Sequence, residues 1–288
     1  MNKHIAMGVI NITPNSFSDG GKCLDTEFSK TLIDKFLNLS QLEGIPLCLD
    51  IGAESTAPFN SAVTIDEEWE RIEKYFLPLL DKVSFPEEAI ISLDTYKAEI
   101  VERFIFNTQN QSFKIIWNDI SGKLDSSVFD LLKKYPELDY VYCHNLCPSR
   151  GLSCSHMDYV NIDLTSNDLS TYFKKALDII KDADISINRI IFDPCFGFSK
   201  TLEQNYELLS NCNDYVECHD RWVLGVSKKS FLQALVKSES KEHRKQESES
   251  FHQTILSQWM KVFPNKNIFY RVHDPLVFSN AKKSQIFI

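Results

Sequence analysis

Short, unbroken runs of apolar and β-branched residues recur along this chain, and each is followed by a stretch with helical periodicity. The runs are Ile5–Ile10, Pro46–Ile51, Ile90–Leu93, Lys114–Trp117, Tyr140–Cys143, Arg189–Phe192, Trp222–Val226 and Asn267–Val272. Strands of a parallel sheet covered on both faces read as continuous apolar runs rather than as alternation. Helical patterns lie between them at Glu27–Leu42, Ile65–Val83, Lys97–Asn107, Ser126–Tyr135, Asn167–Ala183, Thr201–Asn211, Lys229–Val236 and Glu249–Phe263. This alternation predicts an α/β chain folded as a single (β/α)8 TIM barrel, and 288 residues is a length such a barrel nearly fills. An open doubly wound sheet would gather its polar strand-end residues at one switch point. Here nearly every strand ends in one, which favours the barrel. No repeat or linker divides 1–288, so the chain reads as one domain.

Local signals support these boundaries. Thr64 stands before Asp66 and Glu67, and Asp125 before an apolar-periodic stretch, as helix caps do. Pro78 lies inside the second helical pattern and is expected to kink or split it. The mixed-charge run Lys237–Ser250 shows no apolar face and is expected to be a solvated or disordered loop.

In a barrel the carboxyl ends of the strands converge on one mouth, where polar residues from distant parts of the sequence meet. Read in order, they are Asn11, Glu54-Ser55-Thr56, Asp94, Asn118, His144, Asp193, Ser227-Lys228-Lys229-Ser230 and Arg271-Val272-His273-Asp274. Asp94 and Asp193 each end a fully apolar run, so each carboxylate needs donors. With Asn118 they form a set that can read the edge of a flat heterocycle, the carboxylates accepting and the amide doing both. Arg271 and His273 alternate along the last strand and so face one way; with Lys229 they offer cations to a phosphorylated group.

Other readings are excluded or weak. A net charge of −9 disfavours a nucleic-acid backbone as partner, and no apolar run approaches the span of a bilayer. The amino-terminal apolar run is too short for a secretory signal, which points to the cytoplasm, and there the eight cysteines are expected as thiols. Cys143, His144, Cys147, Cys154 and His156 lack the paired knuckles of a structural zinc site, and a Cys-rich loop is the plainer reading. Gly197–Thr201 lacks the glycine–lysine order of a phosphate loop, and Lys229 occupies the glycine position of a nucleophile elbow at Gly225–Ser227.

Several segments carry a family resemblance: Gly8–Gly21 (GVINITPNSFSDGG), Asp50–Thr56, Ser92–Lys97, Asn118–Gly122, Asp193–Phe198, Gly225–Phe231 and Arg271–Asp274. In this order, each at an expected strand end, they resemble the signature of the dihydropteroate synthases. That resemblance implies a transferase of folate biosynthesis. The reaction is condensation of 6-hydroxymethyl-7,8-dihydropterin diphosphate with 4-aminobenzoate to 7,8-dihydropteroate and pyrophosphate. It implies that Asp94, Asn118, Asp193 and Lys229 hold the pterin, with Asp94, Asp193 and Lys229 taking part in catalysis. Asn11, Arg271 and His273 would hold the diphosphate, Asn11 also ligating Mg2+. Phe17, Asp19, Thr56, Pro58, Phe198 and Ser230 would enclose 4-aminobenzoate, and the family implies a homodimer. There are departures. Ala57 stands where the family has a loop arginine, Asn15 replaces an aspartate, Cys195 a glycine, Cys143 a methionine and Lys228 an arginine. Within Glu54–Glu67 no other cation replaces that arginine. Ala57 therefore favours an alternative, a pterin-binding paralogue without the condensation. A pterin-dependent methyltransferase is a further alternative, against which the retained Arg271 and His273 argue.

Overall fold

The computed structural model describes residues 3–14, 22–56, 61–161 and 163–285. Eight parallel strands close into a barrel in sequence order, β1 His4–Asn11, β2 Cys48–Gly52, β3 Ile90–Asp94, β4 Lys114–Asp119, β5 Asp139–Cys143, β6 Ile190–Asp193, β7 Arg221–Leu224 and β8 Asn267–Val272. The helices between them are α1 Thr26–Glu43, α2 Ile65–Tyr75, α3 Leu77–Leu80, α4 Ala98–Asn107, α5 Ser126–Lys134, α6 Ser166–Asp182, α7 Leu202–Ser210, α8 Asn213–Val216, α9 Ser230–Ala234, α10 Lys241–Val262 and α11 Pro275–Lys283. The (β/α)8 TIM barrel expected from the alternation is the fold observed.

The period of two along each strand divides the side chains into two cores. Inward-facing Ile5, Met7, Cys48, Ile90, Ile116, Val141, Ile191, Val223 and Phe269 pack on one another and fill the barrel's lower interior. Outward-facing Trp117, Tyr140, Phe192, Trp222 and Tyr270 are buried against the helices in the larger core. The strands read as unbroken apolar runs because both faces are covered. Gly8 marks a close approach of helix to strand, since a Cβ there would lie 2.7 Å from the ring of Phe36 on α1.

Strand ends differ from expectation by a residue or two. Pro46 lies ahead of β2 because it has no N–H for the ladder, and Arg189 closes a short 3-10 turn before β6. The helix expected at Ile65–Val83 is split at Pro78 into α2 and α3, since proline cannot continue the hydrogen-bond ladder. Thr64 caps α2 by accepting from the Glu67 N–H at 3.1 Å, and Asp125 caps α5 through the Val128 N–H at 3.3 Å.

One expectation is overturned in part. Most of Lys237–Ser250, expected as a solvated or disordered loop, is the first half of α10. Ser240 caps that helix by accepting from the His243 N–H at 3.3 Å. The inward face of α10 begins with Ser248 and His252, both buried, and continues through Leu256, Trp259 and Met260. Within Lys237–Ser250 only Ser248 is buried among the described side chains, so the run is helical rather than a loop but keeps the solvated character expected of it.

Candidate active site

The sheet register sets the mouth. Asn11, Gly52, Asp94 and Asn118 are successive partners across β1, β2, β3 and β4, so they stand on one level where the strands end. Across the barrel Cys143 pairs with Asp193 at the ends of β5 and β6. Lys229 follows β7, and Arg271 and His273 come from the end of β8 and the residue after it. A cavity of about 530 Å³ opens at this end. Asn11, Asp94, Lys229, Arg271 and His273 line it, and so do Thr56, Phe198 and Ser230. Asn118 lies below the cavity wall and is buried. Asp193 stands at the end of β6 and is partly buried. Phe17, Asp19 and Pro58, together with Asn15 and Ala57, lie outside the described residues.

The charges at this mouth are strongly perturbed by burial. Arg271 bridges two carboxylates, its Nε donating to Asp50 Oδ2 at 2.5 Å and its Nη2 to Asp94 Oδ2 at 2.5 Å. Burial still raises the Asp94 pKa to about 7, so desolvation outweighs the pull of the guanidinium. Burial also raises Asp193, whose Oδ1 accepts the Cys195 N–H at 2.7 Å. Lys229 is lowered by burial, and its ammonium sits 4.5 Å over the Phe198 ring. His273 is held well below its usual value by burial and by the cations Lys228 and Arg271 around it; its Nδ1 meets Ser227 Oγ at 2.9 Å. A neutral imidazole beside two cations is poised to take a proton when an anion arrives.

Beneath these groups Tyr96, Ile120, Cys143 and Cys195 form a buried apolar cluster, with Cys154 and Phe198 packed against it, and Phe198 carries it to the cavity surface. The Cys143–His156 segment divides among separate tasks. The Cys154 thiol donates to Glu54 at 3.6 Å, His156 lies 4.1 Å from the Phe198 ring, and His144 packs edge-on against Tyr172. Among the described residues all cysteines are thiols.

Several residues that build this site were given no role from the sequence, Glu54 among them although it was named at a strand end. Asp50, within β2, is a fully buried carboxylate that accepts from Ser92, Asn118 and Arg271. Its signal was present, since an acid inside an apolar strand must find donors. Glu54 accepts from Tyr96 at 3.2 Å, from Lys97 at 2.6 Å and from the Val63 N–H at 3.0 Å, and Lys97 also bonds Glu68. Those carboxylates raise Lys97 despite its burial. Arg71 reaches from α2 to the Ala53 carbonyl at 2.7 Å and Thr13 Oγ1 at 3.3 Å, joining the chain just after β1 to that after β2. It brings a cation to the base of the segment that carries Ala57, from just beyond the Glu54–Glu67 window. Lys200, 2% exposed, donates to the carbonyls of His144, Cys195 and Phe198. Its burial lowers its pKa to about 8.

Two side-chain oxygens at this mouth are of the donor type that a small hard cation takes. A Cβ at Gly52 would lie 3.2 Å from Asn11 Oδ1 and 3.5 Å from Asp94 Oδ2, so the glycine leaves room where two oxygen donors approach. Magnesium takes oxygen ligands and keeps several positions for water and phosphate, which fits one amide oxygen beside a carboxylate.

Comparisons with known proteins point to one family. The model of the family described as pterin binding enzyme matches residues 7–262. The dihydropteroate synthase of Clostridium beijerinckii is 30% identical over 282 residues, covering 96% of this chain and 91% of that protein. The Yersinia pestis dihydropteroate synthase, solved with a sulfonamide drug, superposes with a TM-score of 0.75 at 23% identity, over 99% of this chain and 94% of the other. That of Xanthomonas albilineans, solved with 4-aminobenzoic acid, gives a TM-score of 0.74 at 25% identity, over 98% and 92% of the two chains. The matched segment runs from β1 to the end of α10 and so includes every strand but the last. On this evidence the chain belongs to the pterin-binding enzyme family, among the dihydropteroate synthases.

Proposed function

We propose that this chain is a transferase that joins 6-hydroxymethyl-7,8-dihydropterin diphosphate to 4-aminobenzoate, giving 7,8-dihydropteroate and pyrophosphate. The observation that carries the reading is one cavity whose walls hold both a pterin-reading carboxylate, Asp94, and a set of groups suited to a diphosphate, Lys229, Arg271 and His273. Family membership and the relative solved with 4-aminobenzoic acid support it.

In this proposal the pterin lies over the buried apolar cluster of Tyr96, Ile120, Cys143 and Cys195. Its polar edge is read by Asp94, Asn118 and Asp193, with Lys229 at a ring acceptor. The bond between the exocyclic methylene carbon and the diphosphate oxygen breaks with its electron pair going to oxygen. The carboxylates of Asp94 and Asp193 lower the energy of the cation that develops on the ring and methylene. Arg271 and His273 take the growing charge of the leaving oxygens, His273 gaining a proton from solvent water as it does so. The amine of 4-aminobenzoate then forms the new carbon–nitrogen bond and loses one proton to water. No protein nucleophile is needed. Thr56, Phe198 and Ser230, with Phe17, Asp19 and Pro58, form the acceptor's surroundings in this reading. Mg2+ would be held by Asn11, and when bound it neutralises diphosphate charge. The working form is proposed to be a homodimer.

The test is a coupled pyrophosphate-release assay with both substrates and Mg2+. The expected result is pyrophosphate release that requires both substrates and matches the dihydropteroate formed. Pterin binding without any release would overturn the condensation and leave the paralogue that Ala57 favours.

A further inference from the structure

Beneath the mouth, Asp50 has no place in the walls of the cavity and is 0% exposed, yet it touches two residues assigned to different substrate parts. Its Oδ1 accepts from Ser92 Oγ at 2.6 Å and from Asn118 Nδ2 at 3.1 Å. Its Oδ2 accepts from Arg271 Nε at 2.5 Å. These three partners come from β3, β4 and β8. We propose that Asp50 is a positioning residue that couples the two halves of the substrate site, holding the amide of Asn118 for the pterin ring and the guanidinium of Arg271 for the diphosphate. The inference rests on the reading given under Proposed function.

The chemistry of the carboxylate gives the role its content. An ionised carboxylate only accepts, so it fixes which end of the Asn118 amide turns toward it. The NH2 group faces Asp50, and the amide oxygen is thereby turned away as an acceptor for a ligand N–H. An asparagine without such a partner can present either end. For Arg271 the bond to Nε fixes the plane of the guanidinium, which decides where its remaining N–H groups point. Asp94 also bonds Arg271, but Asp94 lines the cavity and is shared with the ligand. Asp50 is the partner of Arg271 that a ligand in the cavity does not touch. Ser92 in turn holds Asp50 from β3 and has a fully buried hydroxyl.

A structural role alone would lower affinity for every ligand alike; a positioning role makes the loss depend on the residue through which it acts. The full chain is titrated by calorimetry, in buffer containing Mg2+, with 6-hydroxymethylpterin and separately with inorganic pyrophosphate. The proteins are wild type, Asp50→Asn, Asn118→Ala, Arg271→Ala and the two doubles that contain Asp50→Asn. Asp50→Asn is expected to weaken both ligands by about tenfold. In the Asn118→Ala background it is expected to leave pterin affinity unchanged while still weakening pyrophosphate, and in the Arg271→Ala background the reverse. Equal losses in all backgrounds, or full affinity in Asp50→Asn, would overturn the proposal. Failure of the wild-type chain to bind the pterin at all would instead overturn the reading of the site on which it rests. If Asp50→Asn does not fold, Ser92→Ala carries the test. Loosening Oδ1 alone should weaken the pterin and spare pyrophosphate, and equal weakening of both would sink the idea.

Discussion

Lys200 offers a sharp test, because its burial has consequences of opposite sign. Its ammonium is enclosed by three backbone carbonyls, His144 at 3.0 Å, Cys195 at 3.1 Å and Phe198 at 2.9 Å. It ties the end of β5 to the turn after β6, which also supplies the Cys195 N–H to Asp193. Lys200→Met would leave three carbonyls without that donor, at about 1–3 kcal/mol each. Against this, the wild type carries the cost of a buried ammonium: lowering its pKa from 10.5 to about 8 corresponds to about 3 kcal/mol. The lost bonds win, and the variant should be less stable near neutral pH by on the order of 3 kcal/mol.

The pH dependence separates the two terms. Below about pH 8 both folded and unfolded chains hold the Lys200 proton, and the full burial cost is present. From about 8 to 10.5 the unfolded chain keeps the proton while the folded one releases it, so the unfolded state binds more protons and stability rises with pH. This stabilisation is complete above the unfolded value and is lost as the pH falls through about 8. By about pH 9.5 the wild type should have gained about 2 kcal/mol relative to Lys200→Met, whatever other groups titrate in both proteins. Urea unfolding of the two proteins at about pH 7 and about pH 9.5 measures the difference. Parallel pH profiles, or a variant as stable as the wild type at neutral pH, would refute the argument.

Other outcomes follow from the same geometry. Asp193→Asn should weaken pterin binding by roughly ten- to a hundredfold with the fold intact, and unchanged calorimetric affinity would count against its role. The kcat/KM of the wild type should fall as pH drops through about 7, where Asp94 gains a proton and stops accepting from the ring; a flat profile down to about pH 5 would contradict this. Gly8→Ala should destabilise the chain by about 1–3 kcal/mol, because the new Cβ meets the Phe36 ring at 2.7 Å, and an unchanged melting temperature would show that α1 can shift. Glu54→Gln should raise KM for 4-aminobenzoate more than it lowers kcat, since Glu54 holds the Val63 N–H beyond the second mouth loop; an effect on kcat alone would place Glu54 in the chemistry instead.

The fold was legible because the barrel writes itself twice, as covered strands that read as apolar runs and as polar residues at their ends. Strand-end residues were legible for the same reason: Asp94 and Asn118 break the pattern where the strand stops, and register then puts them side by side. What the pattern hides is the layer below. Asp50 sits two residues before Gly52 in CLDIG, on the same inward face, but an apolar run is read as apolar even when one member is charged. The rule that would have found it is energetic rather than periodic, since a buried carboxylate must have donors, and those donors are on other strands. Lys200 was weighed in the sequence only as part of a rejected phosphate loop at Gly197–Thr201, which says nothing of what its ammonium faces. Only the fold reveals that three carbonyls converge on it. The amino-terminal part of α10 was hidden because it faces solvent: of Glu242–Ser250 only Ser248 is buried, so the segment is helical without an apolar stripe to announce it. For Asp50 and Lys200 the missing information was a partner distant in sequence. Sequence periodicity reports which way a side chain faces; what it faces depends on the closed barrel, and the residues that hold Asn118 and Arg271 in place become visible only there.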